Sequence, residues 1–285
     1  MYKQSQKATS SQIKLYLGPP SLKHNKSAIW VERSNFYCGR TLDKLKGKSD
    51  LESEYLIVGF DTEFKTSDAP IRHSDLRLED TQIKNLILSY QFSAKLGDFA
   101  WEGICCPKDG ERITLGEFMV FVLGGGRKQN PKLVFPKKIY LVGHFTRADI
   151  PAFADFAELT GFMTNVRSTF LSTDTPIGVS IDFEDKEENV ALNVFIRDTM
   201  LLTPAASKSL KALGELVGIP KLMLSENPDE QKFMIRNMDL VRPDNWDLFR
   251  QYAINDAHIC LKYIEMLIVR YKSLTGKNGI PVTLT

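Results

Sequence analysis

The sequence predicts one α/β domain built on a mixed β-sheet, and three observations support this fold class. Short apolar runs bounded by polar or glycine-rich stretches indicate strands, and longer segments with apolar residues at helical spacing indicate helices. The strand-like segments come first and then alternate with helices, an order typical of a mixed sheet covered by helices. With 285 residues, of which 43% are hydrophobic, the chain can bury a substantial core.

Continuous apolar runs mark the centre of the predicted sheet. Residues 55–60 and 139–142 are almost entirely apolar, a pattern typical of strands that are buried on both faces. A short strand is also predicted at residues 13–17, where a Gly-Pro-Pro sequence ends it.

Two further pairs of segments predict antiparallel hairpins. Residues 85–94 and 98–104 flank a short Lys-Leu-Gly turn. Residues 180–183 and 191–196 flank an acidic tip at residues 184–188. In each pair, the connection between the two segments is short enough for them to form neighbouring strands.

Four segments have the apolar spacing of helices. Three glycines at 124–126 are expected to end the first, Pro151 falls in the first turn of the second, and Gly218 closes the third. The predicted helices span residues 115–123, 150–159, 210–217 and 246–270.

The N-terminal region differs in charge from the rest of the chain. Residues 1–50 hold ten Lys and Arg against three acids, a net charge of +7, and the remaining residues carry −5. We expect residues 1–50 to form a basic extension, disordered over 1–12, ahead of a domain spanning 51–285. An acidic centre with basic flanks suits a protein that binds cations and phosphates. A basic segment that only aids solubility explains the charge equally well.

Several protein classes are excluded by composition. No apolar run approaches the roughly 18–20 residues that span a bilayer, and the N-terminus lacks the apolar core of a secretory signal. The four cysteines, Cys38, Cys105, Cys106 and Cys260, lack the spacing of a zinc site or a disulfide framework. These features predict a cytoplasmic protein with no membrane partner.

Two carboxylates follow the first buried strand, in the sequence VGFDTEF at residues 58–64. Side chains alternate along a strand, so Asp61 and Glu63 point to the same face. Paired carboxylates supply the hard oxygen ligands that Mg²⁺ and Mn²⁺ prefer. Taken alone, the pair fits a polar strand end in solvent better, since short motifs occur often by chance.

A third acid, Asp149, follows the second buried strand and precedes a predicted helix. Considered alone, it is best explained as the helix N-cap, which contributes about 1 kcal/mol of stability. The neighbouring His144 is either a hydrogen-bonded loop histidine or a donor to a nucleotide.

A fourth acid lies on the long C-terminal helix. Tyr252 and Asp256 are four residues apart and therefore lie on one face. A phenol one turn from a metal-binding carboxylate can orient a metal-held water. The alternative is an exposed Asp beside a half-buried Tyr, which is more common for an isolated pair.

The four acids converge if the two buried strands are neighbours and the last helix crosses their ends. Sites beyond the carboxyl ends of strands are the usual arrangement in open α/β sheets. Two divalent ions about 3.5–4 Å apart would then act on a phosphodiester, one activating water and one stabilising the departing oxygen.

These residues resemble the motifs of the DEDD superfamily of 3′–5′ exonucleases, over residues 55 to 272. Asp61 and Glu63 match the first motif, Asp149 the second, and Asp256 the third. Tyr252 matches the Tyr-type subclass, because a His-type member would carry histidine where this chain has Gln251; His258 lies on the wrong side. The resemblance implies a ribonuclease H-like fold with a mixed five-stranded sheet flanked by helices.

Further similarity is to the proofreading exonuclease of family B DNA polymerases of the viral and plasmid type. The sequence GHFTRAD at residues 143–149 is similar to their second motif, and residues 198–199 and 209–221 are similar to the segment that follows. Two positions depart from the pattern: Phe145 stands where many members have Asn, and Ala148 where an aromatic is common.

The resemblance also implies roles for individual residues. Asp61, Glu63 and Asp256 would hold one Mg²⁺ or Mn²⁺ ion, with Tyr252 positioning the attacking water, and Asp61 and Asp149 would hold a second ion. Phe64 would pack against the terminal base. Asp198 is expected to be structural. Candidate phosphate contacts, each equally explained as a solvated surface residue, are Arg147, Lys208, Lys211 and Lys221.

The sequence thus predicts a stand-alone, metal-dependent 3′–5′ exonuclease that releases nucleoside 5′-monophosphates from single-stranded DNA or 3′ ends. An RNA-processing exonuclease of the same superfamily is an open alternative, because the metal site does not distinguish the sugars. A non-catalytic nucleic-acid-binding domain of the same fold is another.

Overall fold

The protein forms an α/β structure around one mixed sheet. The computed structural model describes residues 15–17, 29–32, 55–66, 85–108, 111–156, 177–183, 186–204 and 208–283. Eight strands lie in the order β1-β2-β5-β4-β3-β6-β8-β7. They are β1 Leu15–Leu17, β2 Ile29–Glu32, β3 Leu56–Thr66, β4 Asn85–Leu96, β5 Phe99–Cys106, β6 Lys138–Gly143, β7 Ile177–Phe183 and β8 Lys186–Asp198.

The α/β class is confirmed, but the predicted count of five strands is wrong. The strands β5, β4, β3, β6 and β8 form the middle of the sheet, and β1, β2 and β7 extend its two edges. The count of five came from the family resemblance; the strands predicted from the sequence at residues 13–17 and 180–183 correspond to β1 and β7. The strand β2 was not predicted, because four residues carry little periodic signal. The expected disorder of residues 1–12 lies outside the described residues, and the boundary at residue 50 stays a prediction.

The central strand β3 is longer than predicted, and this places the first two acids inside a strand. Its parallel pairing with β6 ends at Gly59, opposite Val142. Its antiparallel pairing with β4 continues through Asp61, which lies opposite Gln91, to Thr66. The acids therefore occupy the part of β3 that extends past the end of β6.

Both predicted hairpins are present. The strands β4 and β5 are antiparallel around a turn that contains Gly97 at φ 58°, and β7 and β8 are antiparallel as well. Each strand is longer than its apolar pattern indicates. Residues 184–185 of the predicted acidic tip lie outside the described residues.

Six helices accompany the sheet in the part of the chain that the structure describes. The predicted helix at 210–217 is confirmed and ends at Gly218, which has the left-handed φ of 74° that favours glycine. The last helix continues five residues past the predicted end, to Thr275. The helices are α1 Leu115–Gln129, α2 Thr146–Asp149, α3 Leu210–Val217, α4 Pro228–Arg236, α5 Met238–Asp244 and α6 Trp246–Thr275.

The prediction that three glycines end the first helix is wrong. Helix α1 continues through all three and ends at Gln129. The reason is packing against Trp101: a Cβ atom on Gly126 would lie 2.8 Å from Cε2 of the indole, and one on Gly125 would lie 3.5 Å from Cδ1. These glycines allow the helix to approach the sheet closely.

The prediction of a helix at residues 150–159 is also wrong for the residues that the structure describes. The chain forms the single turn α2 and then a 3-10 helix at Ile150–Ala152. The backbone at Phe153 is extended, with ψ 141°. Residues 157–159 lie outside the described residues.

Helices pack on both faces of the sheet. On one face, Phe60 of β3 contacts Phe118 of α1 and Phe153, with ring centroids 6.1 Å apart in each pair. On the other face, a Cβ atom on Gly59 would lie 2.3 Å from the carbonyl oxygen of Ala257. The backbone of α6 therefore lies directly against β3, two residues before Asp61. None of the helices in the described parts of the chain is long and apolar enough to cross a membrane.

Candidate metal centre

Three carboxylates from two elements meet at the extended part of β3. Oxygen atoms of Asp61, Glu63 and Asp256 all lie within 4.8 Å of one another, and Asp256 is buried while the other two are partly buried. The two β3 residues face α6 because side chains alternate along a strand and Gly59, of the same parity, touches that helix. Such a set of hard oxygen donors fits a divalent cation such as Mg²⁺ or Mn²⁺.

The negative charges of the three carboxylates repel one another, and burial makes each charge less favourable. Burial raises the pKa of Asp61 well above its usual range, and the charges of Asp149, Glu63 and Asp256 raise it further. Burial, followed by the charge of Asp256, likewise raises the pKa of Glu63. A concentration of buried negative charge of this kind is neutralised in proteins by protons, by basic side chains or by cations.

Lys221 supplies part of that compensation. Its Nζ atom lies 2.5 Å from Oδ2 of Asp256, and its side chain is 23% exposed. Burial acts to lower the pKa of this ammonium group, but the charges of Asp256, Tyr252 and Asp61 outweigh burial and raise it. The alternative that Lys221 is a solvated surface residue is therefore wrong.

One oxygen of the cluster has no protein partner. Oδ1 of Asp256 is buried and accepts no hydrogen bond, although Oδ2 of the same group is paired. An unpaired buried carboxylate oxygen is costly unless another group satisfies it. Because it belongs to the three-acid cluster, the residues fit a bound divalent cation.

The fourth predicted acid, Asp149, lies beside this cluster. Its charge acts on the pKa of Asp61 and Glu63, and burial raises its own pKa to about 7. The N-cap alternative is wrong, because the Asp149 side chain makes no capping hydrogen bond. It accepts a hydrogen bond from Oγ1 of Thr62 at 2.7 Å instead.

Tyr252 lies one helical turn before Asp256 and is buried, with 6% of its surface exposed. Nζ of Lys221 lies 5.3 Å from the centre of its ring. Burial raises the pKa of the phenol, the charges of Glu63, Asp256 and Asp61 add to this effect, and Lys221 opposes it. The phenol therefore keeps its proton at neutral pH and can donate a hydrogen bond. The alternative of an exposed Asp256 is wrong.

The prediction missed Gln91, which orients Asp61. Nε2 of Gln91 donates to Oδ2 of Asp61 at 2.9 Å, and Oγ of Ser89 donates to Oε1 of Gln91 at 2.9 Å. Both residues are fully buried. The signal was present in the sequence, since Ser89, Gln91 and Ser93 alternate with apolar residues and so form a polar face on β4.

Asp198 holds the loop between β6 and α2. Its Oδ1 accepts from the backbone N–H groups of Phe145 and Met200, and its Oδ2 accepts from the N–H and hydroxyl groups of Thr146. Phe145 has φ 65°, the one positive value for a non-glycine residue among the described residues, and is 50% exposed. The expectation that Asp198 is structural agrees with these contacts.

The residues predicted to contact nucleic acid differ in how far they are buried. His144 is half-buried with Nδ1 2.8 Å from Oγ1 of Thr199, and burial lowers its pKa. Phe64 is partly buried and packs against the core between the sheet and α1. Arg147, Lys208 and Lys211 are exposed. Contact of these residues with nucleic acid stays a prediction.

Comparison with known proteins gives one distant similarity. An alignment of 228 residues, which covers 73% of this chain, is 28% identical to a primer-independent DNA polymerase, PolB, from Escherichia coli. The chain spans 24% of that polymerase's length. No protein-family model matches the chain, and no solved structure matches it. The chain is thus distantly related to part of a DNA polymerase.

Proposed function

We propose that this protein is a metal-dependent 3′–5′ exonuclease of the Tyr-type DEDD superfamily, with a ribonuclease H-like fold and DNA as its substrate. The observation that carries the proposal is the cluster of Asp61, Glu63 and Asp256, whose oxygens lie within 4.8 Å of one another. The buried Asp149 and Tyr252 beside it complete the set of groups that such a site uses.

The acids would hold two divalent ions, and the substrate phosphate would reach the acids only through those ions. Asp61, Glu63 and Asp256 would hold one Mg²⁺ or Mn²⁺ ion, and Asp61 with Asp149 a second. Bound there, the two ions supply a nucleophilic water and stabilise the leaving 3′ oxygen. Gln91 would hold Asp61 in place as a ligand, because its Nε2 donates to Oδ2 of that carboxylate.

Tyr252 would orient the attacking water. Its phenol is protonated at neutral pH and lies one turn from Asp256, so it can donate a hydrogen bond toward a water held at that carboxylate. Water attacks the terminal phosphorus, the bond from phosphorus to the 3′ oxygen breaks, and a nucleoside 5′-monophosphate leaves. The shortened strand retains a 3′ hydroxyl for the next cycle.

Two observations favour a DNA exonuclease over the two alternatives, an exoribonuclease and a non-catalytic binding domain. The similarity to a DNA polymerase supports a DNA substrate over RNA. The buried carboxylates, with raised pKa values and an unpaired oxygen, support a catalytic protein over a non-catalytic binding domain, which has no need of such a costly cluster.

The test is a degradation assay with 5′-labelled single-stranded DNA, duplex DNA and RNA, in Mg²⁺, Mn²⁺ or EDTA. We expect a ladder that shortens from the 3′ end of DNA, stops in EDTA, and is absent for Asp61→Ala. Labelled RNA degraded faster than DNA would favour the exoribonuclease alternative. No hydrolysis of any of the three substrates would overturn the proposal.

A further inference from the structure

The residue between the two β3 acids points away from them. Thr62 alternates with Asp61 and Glu63, so it lies on the face of β3 that carries Phe60 and packs against α1. Only 4% of Thr62 is exposed. A buried hydroxyl in that position needs a hydrogen-bond partner, because an unpaired one costs about 1–3 kcal/mol.

Its partner is Asp149, 87 positions later in the chain. Oγ1 of Thr62 donates to Oδ1 of Asp149 at 2.7 Å. This hydrogen bond favours the charged carboxylate and so lowers the pKa of Asp149, against the larger effect of burial, which raises it to about 7. Asp149 is itself 3% exposed, so little of this arrangement is shared with solvent.

The position of Asp149 follows from the end of a β-ladder. The described pairing between β3 and β6 stops at Gly59 and Val142. Beyond that point the chain leaves β6, turns at Phe145, and returns in the single turn α2, whose last residue is Asp149. Asp149 thereby lies beside the part of β3 that extends past the end of β6, where it accepts the hydrogen bond from Thr62.

We infer that Thr62 is a positioning residue that holds Asp149 at the metal centre, an inference that rests on the proposed function. The segment that carries Asp149 is short, with one helical turn after a left-handed residue. The hydrogen bond from Thr62 fixes the carboxyl group relative to Asp61, which occupies the adjacent position of the same strand. Thr62 therefore couples the second metal site to the first.

Three substitutions separate this role from simple packing. Thr62→Val keeps the shape of the side chain and removes the hydroxyl, whereas Thr62→Ser keeps the hydroxyl. Thr203→Val is a matched control, because Thr203 is also a buried threonine whose hydroxyl donates to a backbone carbonyl, that of Thr199 at 3.0 Å. Thr62→Ala serves as a second variant if Thr62→Val does not fold.

The experiment is calorimetric titration of the 285-residue chain with Mn²⁺, with no nucleic acid present. We expect Asp149→Ala to weaken one class of Mn²⁺ sites, and Thr62→Val to weaken the same class roughly tenfold, the usual effect of losing a hydrogen bond behind a metal ligand. Thr62→Ser and Thr203→Val should stay within about threefold of wild type. The double variant Thr62→Val with Asp149→Ala should bind Mn²⁺ as Asp149→Ala alone does.

The outcomes distinguish the inference from the proposed function. Wild-type binding of Mn²⁺ together with unchanged binding by Thr62→Val would overturn the role of Thr62 alone. If the double variant binds Mn²⁺ more weakly than Asp149→Ala alone, Thr62 acts through general packing, and its role in positioning Asp149 is overturned. Wild-type protein that binds no Mn²⁺ would overturn the proposed function and this inference together. Mn²⁺ binding without hydrolysis of any nucleic acid would overturn the function but leave the coupling measurable.

Discussion

Nζ of Lys221 lies 2.5 Å from Oδ2 of Asp256, within the cluster of carboxylates that includes Asp61 and Glu63. This ion pair joins the segment after α3 to the middle of α6. It places a positive charge where buried negative charges otherwise repel one another. The metal-free protein therefore depends on Lys221 for part of its stability.

Replacement of Lys221 should destabilise the metal-free protein. Lys221→Met leaves Asp256 buried without its cation, and removing one partner of a buried pair costs about 3 kcal/mol. Urea unfolding in EDTA measures this loss, and saturating Mn²⁺ should restore part of it. Lys277→Met, at an exposed position, should change the free energy of unfolding by less than about 0.5 kcal/mol. Equal stability of Lys221→Met and wild type in EDTA would show that the pair contributes nothing.

Neutralising Glu63 should have opposite effects on stability and on activity. Glu63→Gln relieves repulsion among the buried carboxylates, so we expect the melting temperature in EDTA to rise by about 2–4 °C. The same change removes a ligand of one of the two ions, so hydrolysis should fall by roughly 10³-fold and the stabilisation by Mn²⁺ should decrease. The exposed Glu215→Gln is the matched control for both measurements. A variant that is both less stable and fully active would contradict the account.

Stability of the metal-free protein should fall as pH rises. Burial raises the pKa of Asp61, Glu63 and Asp256, and raises that of Asp149 to about 7. Between about pH 4 and pH 7 the folded state then holds more protons than the unfolded state, so the free energy of unfolding decreases with pH. Divalent ions replace these protons, and Mn²⁺ should therefore stabilise the protein more at pH 8 than at pH 5.

The pH profile of Glu63→Gln provides the reference for that measurement. Burial lowers the pKa of His144, and lowers that of His258 to about 4, so both histidines destabilise the folded state as pH falls through the unfolded value of 6.5. Their effect is common to wild type and variant and cancels in the difference. Thermal melts in EDTA should show the two proteins diverging as pH rises. Parallel profiles would contradict the assignment of the raised pKa values.

Tyr252→Phe should slow hydrolysis without abolishing it. The variant keeps the buried ring and the metal ligands and loses one hydrogen bond to the attacking water, so we expect kcat to fall about 10- to 100-fold. Mn²⁺ affinity should not change. Tyr271→Phe, on the same helix and outside the cluster, is the control. A Tyr252→Phe variant as inactive as Asp61→Ala would mean that the phenol does more than orient water.

Much of this arrangement follows from patterns that a sequence displays. The buried runs of β3 and β6, the period-2 spacing of Asp61 and Glu63, and the one-turn spacing of Tyr252 and Asp256 all predict where acids can meet. The convergence of Asp61, Glu63 and Asp256 depends on α6 lying directly against Gly59, which the missing side chain permits.

Other features depend on contacts that local patterns do not reveal. Lys221 reaches Asp256 across 35 positions, and Thr62 reaches Asp149 across 87. Asp149 by itself resembles a helix cap, and the glycines of α1 resemble a helix end until Trp101 is placed beside them. Helices α4 and α5 went unpredicted. Pro243 lies inside α5, and only one α4 side chain, that of Gln231, is buried, so neither has a clear apolar stripe.

Anomalous diffraction from crystals soaked in Mn²⁺ would show whether Asp61, Glu63 and Asp256 share a divalent ion. We expect an anomalous peak within about 2.6 Å of an oxygen of each carboxylate, including Oδ1 of Asp256, and no peak among these three side chains in Glu63→Gln crystals. A protein with this fold that shows no peak among these three side chains in saturating Mn²⁺ would contradict this expectation.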